Sequence, residues 1–282
     1  MAVDDAREKR PAGSAAGEPQ SEDRLDPVAT FVAGVRTVLD HRIILVAAVP
    51  LLVWHLLATA LGFNPEPPVI ATVVADVLGG RGAYDWWYEL ATAPERLLLM
   101  PLAGGVAIAL ALGAQRGRPA LLDATRAAWH RFPRLAAVAA AGWAASELPG
   151  LALGVGWLRL PLAAVALYLL LRVWLAAPAV LADDAPAAEA LVRSWRITGG
   201  DWWRIFAVAL LATVPAIVAA GLLPPWLTAA VGYAWQPVAD TVMTTAYLRV
   251  AARDRTSTPA TSWTPASGLA SPGHGSRSTP TA

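Results

Sequence analysis

Four ionisable residues stand out inside apolar runs, where a charge is costly and so carries information. They are Arg172, Asp240, His55 and Glu147. Arg172 stands about ten residues, and Asp240 about nine, from the inner ends of their runs, roughly 14–15 Å deep at helical rise. At matched depth an Arg172–Asp240 ion pair can relieve two buried charges at once. The alternative is that Arg172 reaches back to the polar edge while Asp240 is protonated or meets water. His55 and Glu147 each follow by thirteen residues an arginine that opens an apolar run, Arg42 and Arg134. They therefore share a depth in the outer half. The equivalent position after Arg204 is Ile217. His55 and Glu147 can hydrogen-bond as a structural contact, or form part of a proton or substrate path.

Enzyme signatures are missing. The chain has no phosphate-binding Gly-x-x-x-x-Gly-Lys-Ser/Thr loop, no His-Glu-x-x-His pair and no Gly-x-Ser-x-Gly elbow. It has no cysteine, which removes disulfides, thiol catalysis and cysteine-held metals. His41, His55, His130 and His274 lack metal-ligand spacing. Gly79-Gly80-Arg81-Gly82 reads as a plain loop. The arginines cluster at the edges of apolar runs, which disfavours nucleic acid as a partner. The expectation is a protein that is not an enzyme and carries no cofactor or metal.

Those four residues must be held by membrane helices. The chain is 56% hydrophobic and 15% charged, well away from the near-equal apolar share and quarter charged share of soluble domains. Six runs are long enough to cross about 30 Å of hydrocarbon: about 42–63, 94–115, 134–156, 160–182, 204–223 and 226–250. The run 69–78 is too short, and with 84–90 is expected to lie on the outer surface. Residues 1–26 lack the apolar core of a signal peptide and, like 255–282, have the composition of a disordered segment. The membrane domain is thus expected over 27–254.

With the N-terminus inside, eighteen Lys and Arg fall on the inner side and three, Arg81, Arg96 and Arg159, on the outer side. That bias sets both termini in the cytoplasm, with an even number of spans in a cell (inner or plasma) membrane. Trp86, Trp87, Trp157 and Trp226 then mark the outer edge. Trp129, Trp195, Trp202 and Trp203 mark the inner one.

An internal repeat is visible at the span starts: Arg42-Ile43-x-x-Val46-Ala47, Arg134-Leu135-x-x-Val138-Ala139 and Arg204-Ile205-x-x-Val208-Ala209. A short amphipathic stretch precedes each. Asp123, Ala124 and Trp129 match Glu189, Ala190 and Trp195 at constant offset. The fold class expected is therefore all-α and polytopic, in three units of inner-surface elbow helix, span out and span back. Over 186–197, Ala188, Leu191 and Trp195 share one face, and Glu189, Arg193 and Arg196 another. Proline in the first turn suits such a helix. Its apolar face can enter the acyl boundary while Arg193 and Arg196, with Arg126 and Arg131 of the second elbow, meet anionic lipid headgroups. A tight loop with ordinary inner-side arginines is the alternative. Pro50, Pro101, Pro149, Pro178, Pro215 and Pro237 each remove a helix hydrogen bond. Gly104-Gly105 reads as a close helix contact rather than a gate.

At one junction the sequence becomes specific. Arg172-Val-Trp-Leu-Ala-Ala-Pro178-Ala-Val-Leu-Ala-Asp183 runs into Ala190-Leu-Val-Arg193-Ser194-Trp195-Arg-Ile-Thr198-Gly-Gly-Asp201-Trp-Trp-Arg204. This resembles the membrane domain of glycerophosphoryl diester phosphodiesterases and related six-span bacterial integral membrane proteins. Tyr247-Leu-Arg249-Val-Ala-Ala-Arg253 looks like that family's closing segment. The likeness covers about 27–255. It implies the six-span, elbow-bearing domain read above and no enzymatic activity here, because the relatives' phosphodiesterase sits in a separate barrel of roughly 250 residues. Asp183-Asp184 stands where many relatives carry Glu. The expected function is to handle or sense a lipid or amphiphile, or to support a membrane or cytoplasmic protein partner. The rivals are a transporter or channel subunit with a polar path, and a structural assembly factor.

Overall fold

A computed structural model of the chain describes residues 24–60, 95–148 and 156–257. All regular structure among them is helical. Helix α1, Pro27–Asp40, starts where the Asp26 side chain accepts the Ala29 N–H at 3.0 Å, with proline in its first turn. A 3₁₀ segment, Arg42–Ala48, leads into α2, Val49–Ala60. A π-helical turn, Glu95–Leu99, opens onto α3, Met100–Gln115. Then come α4, Leu121–His130, and α5, Phe132–Ser146. They are followed by α6, Gly156–Trp174, and α7, Ala176–Ala182. The chain closes with α8, Ala187–Leu222, and α9, Pro225–Ser257.

Four of these stretches are long and apolar enough to cross a membrane: Arg42–Ala60, Glu95–Gln115, Leu160–Ala182 and Ala187–Ala219. That suits a membrane-embedded protein. The other two expected spans differ for identifiable reasons. Over 134–156 the described helix is α5, of 15 residues, and 149–155 lies outside the described residues. Over 226–250 the helix is a single rod of 33 residues. Its middle carries Gln236, Asp240, Thr241, Thr244 and Thr245, and this polarity, not any shortness, separates it from the apolar four.

The last helix is the axis of the bundle. Val238, Ala239, Val242, Met243, Ala246, Tyr247, Val250 and Ala251 are buried on it, and α1, α3 and α8 pack around it. Its buried threonines are satisfied locally: Thr241, Thr244 and Thr245 donate to the carbonyls of Pro237, Asp240 and Thr241. Gly34 lets α1 cross tightly, since a Cβ there would stand 2.6 Å from Val242 Cα.

Three details differ from the expected elements. The run 160–182 is broken at Leu175, between α6 and α7, three residues before Pro178, whose ring cannot accept the carbonyl one turn back. The expected elbow at 186–197 and the span from 204 form one continuous helix, α8, kinked at Asp201 (φ −122°, ψ 24°). The tail expected from 255 begins later, because α9 includes Arg255 and runs to Ser257. The expectations for 1–23, 69–78, 79–82, 84–90 and 258–282 lie outside the described residues.

Three helical segments stand where elbows are expected: α1, α4 and residues 187–200 of α8. Each buries a stripe of mostly small residues at helical spacing: Thr30/Gly34/Val38, Ala124/Ala128 and Ala190/Ser194/Ile197. Each also exposes apolar side chains: Val28/Val32/Leu39, Leu122/Trp129 and Val192/Trp195. After the elbows, Leu135/Val138 and Ile205/Val208 are buried in matching register. The first copy departs from it: Ile44, Ala47 and Ala48 are buried and Val46 is exposed, because three-residue turns replace the α-helical ones there.

Candidate functional site

The elbow end of the bundle is laced by three aspartates. Asp183, which ends α7, accepts the Tyr247 hydroxyl proton, Arg255 at 2.8 Å and Arg193 at 3.0 Å. Asp184, held at φ 55°, accepts Arg131 at 2.9 Å and Arg134 at 2.8 Å. The hydrogen bond and charge of Arg131, aided by Arg134, hold the Asp184 carboxyl below the usual carboxylate range. Asp201, at the kink, accepts Arg204 at 2.7 Å and Arg253 at 2.8 Å.

This changes the reading of the elbow arginines. Arg131, Arg193 and Arg196 are expected at lipid headgroups. The structure gives them to carboxylates of the same chain, Arg196 to Asp254 at 3.5 Å. Close, directional carboxylates out-compete a fluid lipid surface for these forks. Of the four, Arg126 alone is exposed without an ion-pair partner among the described residues.

Arg172 and Asp240 do not pair. The Arg172 guanidinium donates to the Trp195 carbonyl, to Thr198 Oγ1 at 2.8 Å and to Tyr168 Oη at 2.8 Å. It also lies 4.9 Å from the ring centres of both Tyr168 and Trp195. Ser194 donates to the Arg172 carbonyl. The residue is a clamp that fastens the first part of α8 to α6. Counting along the runs matched the two charges, but on α6 and α9 they meet different neighbours.

His55 and Glu147 each lie near one member of an adjacent pair, Glu95 and Arg96, of which Glu95 was not singled out from sequence. Glu95 is buried at the head of the π-helical turn. It accepts Trp54 Nε1–H at 2.9 Å and the Tyr233 hydroxyl proton. His55 is buried beside Tyr233, with ring centres 5.5 Å apart. The next residue, Arg96, meets Glu147 at 3.4 Å, and Glu147 accepts Trp143 Nε1–H at 2.9 Å. Arg96, expected as an outer-loop cation, is mostly buried. The signal that could have found Glu95 was an acid beside Arg96 at the mouth of an apolar run. For Tyr233 it was the seven-residue spacing to Asp240, two turns along one face.

Between α3, α5, α6, α8 and α9 lies a cavity of about 250 Å³. Its wall is largely aliphatic and small, from Ile108, Leu135, Val138, Leu170 and Ala216 among others. Half-buried Trp143, Thr213 and Ile217 belong to its lining. The polar groups in it are few: Asp240, Gln236, Thr213, Arg96 and the two indoles of Trp143 and Trp235. Trp235 donates to the Ala212 carbonyl, fixing α9 against α8. Asp240 is 7% exposed; its Oδ1 accepts Gln236 at 3.1 Å and its Oδ2 has no hydrogen-bond partner. The adjacent glycines divide their roles. A Cβ on Gly105 would meet Leu135 at 2.6 Å, the expected close helix contact, whereas one on Gly104 would stand 3.3 Å from Asp240 Oδ2, beside the cavity.

An apolar chamber with one under-satisfied carboxyl can hold an apolar molecule by its body and orient it by one polar group. Among the described residues no group of three or more His, Asp or Glu is placed to hold a metal ion. No protein-family model, curated protein or solved structure matches the chain.

Proposed function

We propose that this is a six-span protein of the cell membrane, with both termini cytoplasmic, that binds a lipid-like amphiphile in the cavity between α3, α5, α6, α8 and α9. The reading is of a non-enzymatic protein built from three elbow–span–span units. The observation that carries it is the cavity itself, aliphatic on most of its wall and polar at Asp240 and Gln236. Its 250 Å³ is just below the roughly 300–1,000 Å³ of ordinary ligand pockets, so it admits a small amphiphile or one end of a larger one. The arginine bias supports the orientation, and the exposed apolar stripes of the elbows support their seating in the acyl boundary. The resemblance to the phosphodiesterase membrane domain fits the Arg172 clamp, since Arg172, Ser194, Trp195 and Thr198 all belong to the matching segment. Exposed Arg126 is the remaining headgroup contact in this reading, and the elbow end offers a face to a protein partner.

The test is binding of a brominated fatty alcohol to the full chain in nanodiscs, read by quenching of tryptophan emission. Ala216→Trp, which fills the cavity, should abolish the saturable component. Saturable quenching that Ala216→Trp leaves intact would sink the proposal.

A second reading, a transporter with an intramembrane polar path, is favoured by one observation. Tyr233, Gln236 and Asp240 follow one face of α9, with Glu95 bonded to Tyr233 at its end. Flux of an ion or solute into liposomes, lost in Asp240→Ala and kept in elbow-arginine variants, would favour that reading over simple binding.

A further inference from the structure

We propose that the cavity selects amphiphiles bearing an ammonium group, with Asp240 as the group that recognises them. This rests on the cavity reading above and adds the chemistry of the occupant.

Asp240 is a carboxyl 7% exposed, deep in the bundle. Its Oδ1 has one donor, Gln236, and its Oδ2 has none. No cation lies within ion-pair distance of it among the described residues. The two arginines that could neutralise it are committed elsewhere. Arg172 spends its donors on Trp195, Thr198 and Tyr168. Arg96 reaches into the same cavity but is balanced by Glu147. It also stands two turns of α3 away from Gly104, about 12 Å by helical rise. The side of Oδ2 toward α3 is kept clear by Gly104, which offers no side chain there.

A buried, unpaired acid in a membrane span is expensive and marks a binding or transport site by default. Three kinds of ligand head could reach Oδ2. An anion is repelled. A hydroxyl supplies a hydrogen bond but no charge. An ammonium supplies both, and a charge-assisted bond in a dry site is roughly twice as strong as a neutral one. The aliphatic wall then takes the attached chain. The wall excludes a bulky zwitterionic headgroup, because its polar atoms beyond the ammonium would meet Leu135, Val138 and Leu170 without partners.

The experiment is native mass spectrometry of the full chain in nanodiscs, titrated with dodecylamine and with dodecanol. The expected result is that the amine binds the wild type about tenfold more tightly than the alcohol, the difference between a charged and a neutral hydrogen bond. Asp240→Asn should bring the two probes to equal affinity. That variant keeps an oxygen for Gln236 to bond, so the local network survives. Gly104→Ala leaves the carboxyl in place and crowds Oδ2 with a methyl at 3.3 Å, so amine affinity should fall severalfold while alcohol affinity holds. Equal affinities in the wild type would overturn the inference and leave the cavity reading standing. An amine preference that persists in both variants would overturn it as well, by tracing the preference to the bilayer. Failure of both probes to bind the wild type would overturn both readings together.

Discussion

The clearest quantitative consequence of the structure concerns Arg172. Matched depth suggests a partner in Asp240, whereas the geometry assigns it to the third elbow. Replacement by Met keeps the aliphatic stem and removes the fork. Lost are three hydrogen bonds, to the Trp195 carbonyl, Thr198 Oγ1 and Tyr168 Oη, and two cation–ring contacts at 4.9 Å. Charged hydrogen bonds are worth about 1.5–3 kcal/mol each and partly desolvated cation–ring contacts about 0.5–2. Against this, removing the guanidinium recovers a desolvation cost of several kcal/mol. The Trp195 carbonyl also keeps a donor in the Thr198 hydroxyl, at 3.1 Å. A net loss of about 3 kcal/mol is expected. It should appear in reversible unfolding of detergent-solubilised protein, and as faster amide exchange confined to 187–200. A double-mutant cycle decides the partner. Arg172→Met with Asp240→Asn should be additive within about 0.5 kcal/mol, as for residues that share no contact. Arg172→Met with Thr198→Val should not be. A coupling above about 1 kcal/mol between Arg172 and Asp240, or wild-type exchange in the elbow of Arg172→Met, would refute the clamp.

Three further outcomes follow from the same coordinates. Gly34→Val places a side chain against the Val242 backbone, 2.6 Å from its Cα. It should cost about 1–3 kcal/mol as an overpacked contact, read as a lower unfolding midpoint. Gly142→Ala meets its nearest neighbour only at 3.8 Å, within helix α5, so it should raise stability by about 0.5–1 kcal/mol in the same assay. Asp184 has its carboxyl pKa lowered by Arg131 and Arg134, so its stabilisation is complete above the ordinary carboxylate pKa and is lost as pH falls through the lowered value. Wild-type protein should therefore lose thermal stability as pH falls below about 4 more steeply than Asp184→Asn, and parallel profiles would remove Asp184 from the network.

The all-helical class and the four long apolar helices were readable because apolar runs declare themselves through length and periodicity. Azimuth was not readable. Arg172 and Asp240, matched by counting along their runs, meet different neighbours, and His55 and Glu147, matched in the same way, meet Tyr233 and Arg96 respectively. Which way a helix face turns is settled by packing of the whole bundle, through contacts such as Gly34 on Val242 and Gly105 on Leu135. The pairing of Arg131 and Arg193 with Asp184 and Asp183 was hidden for a related reason. Charges at a membrane edge look alike in sequence whether they meet lipid phosphate or a carboxylate of the same chain.

The distribution of those pairings bears on what the elbows do. Were they mainly anchors to anionic lipid, their arginines would face outward and remain unpaired. Instead Asp183, Asp184 and Asp201 pair with Arg193, Arg131, Arg134, Arg204, Arg253 and Arg255. Thr30 accepts Arg249 at 2.9 Å, fastening the first elbow to α9 as well. The first and third of these segments are thus tied to α9, the third through Arg193 and Asp183, while Arg131 and Arg134, which follow the second, bond to Asp184 between α7 and α8. Helix α9 also carries the cavity carboxyl, Asp240. Contacts that fix the first and third segments and the group that faces the cavity therefore stand on one helix, so a change at either end of it reaches the other through a single element.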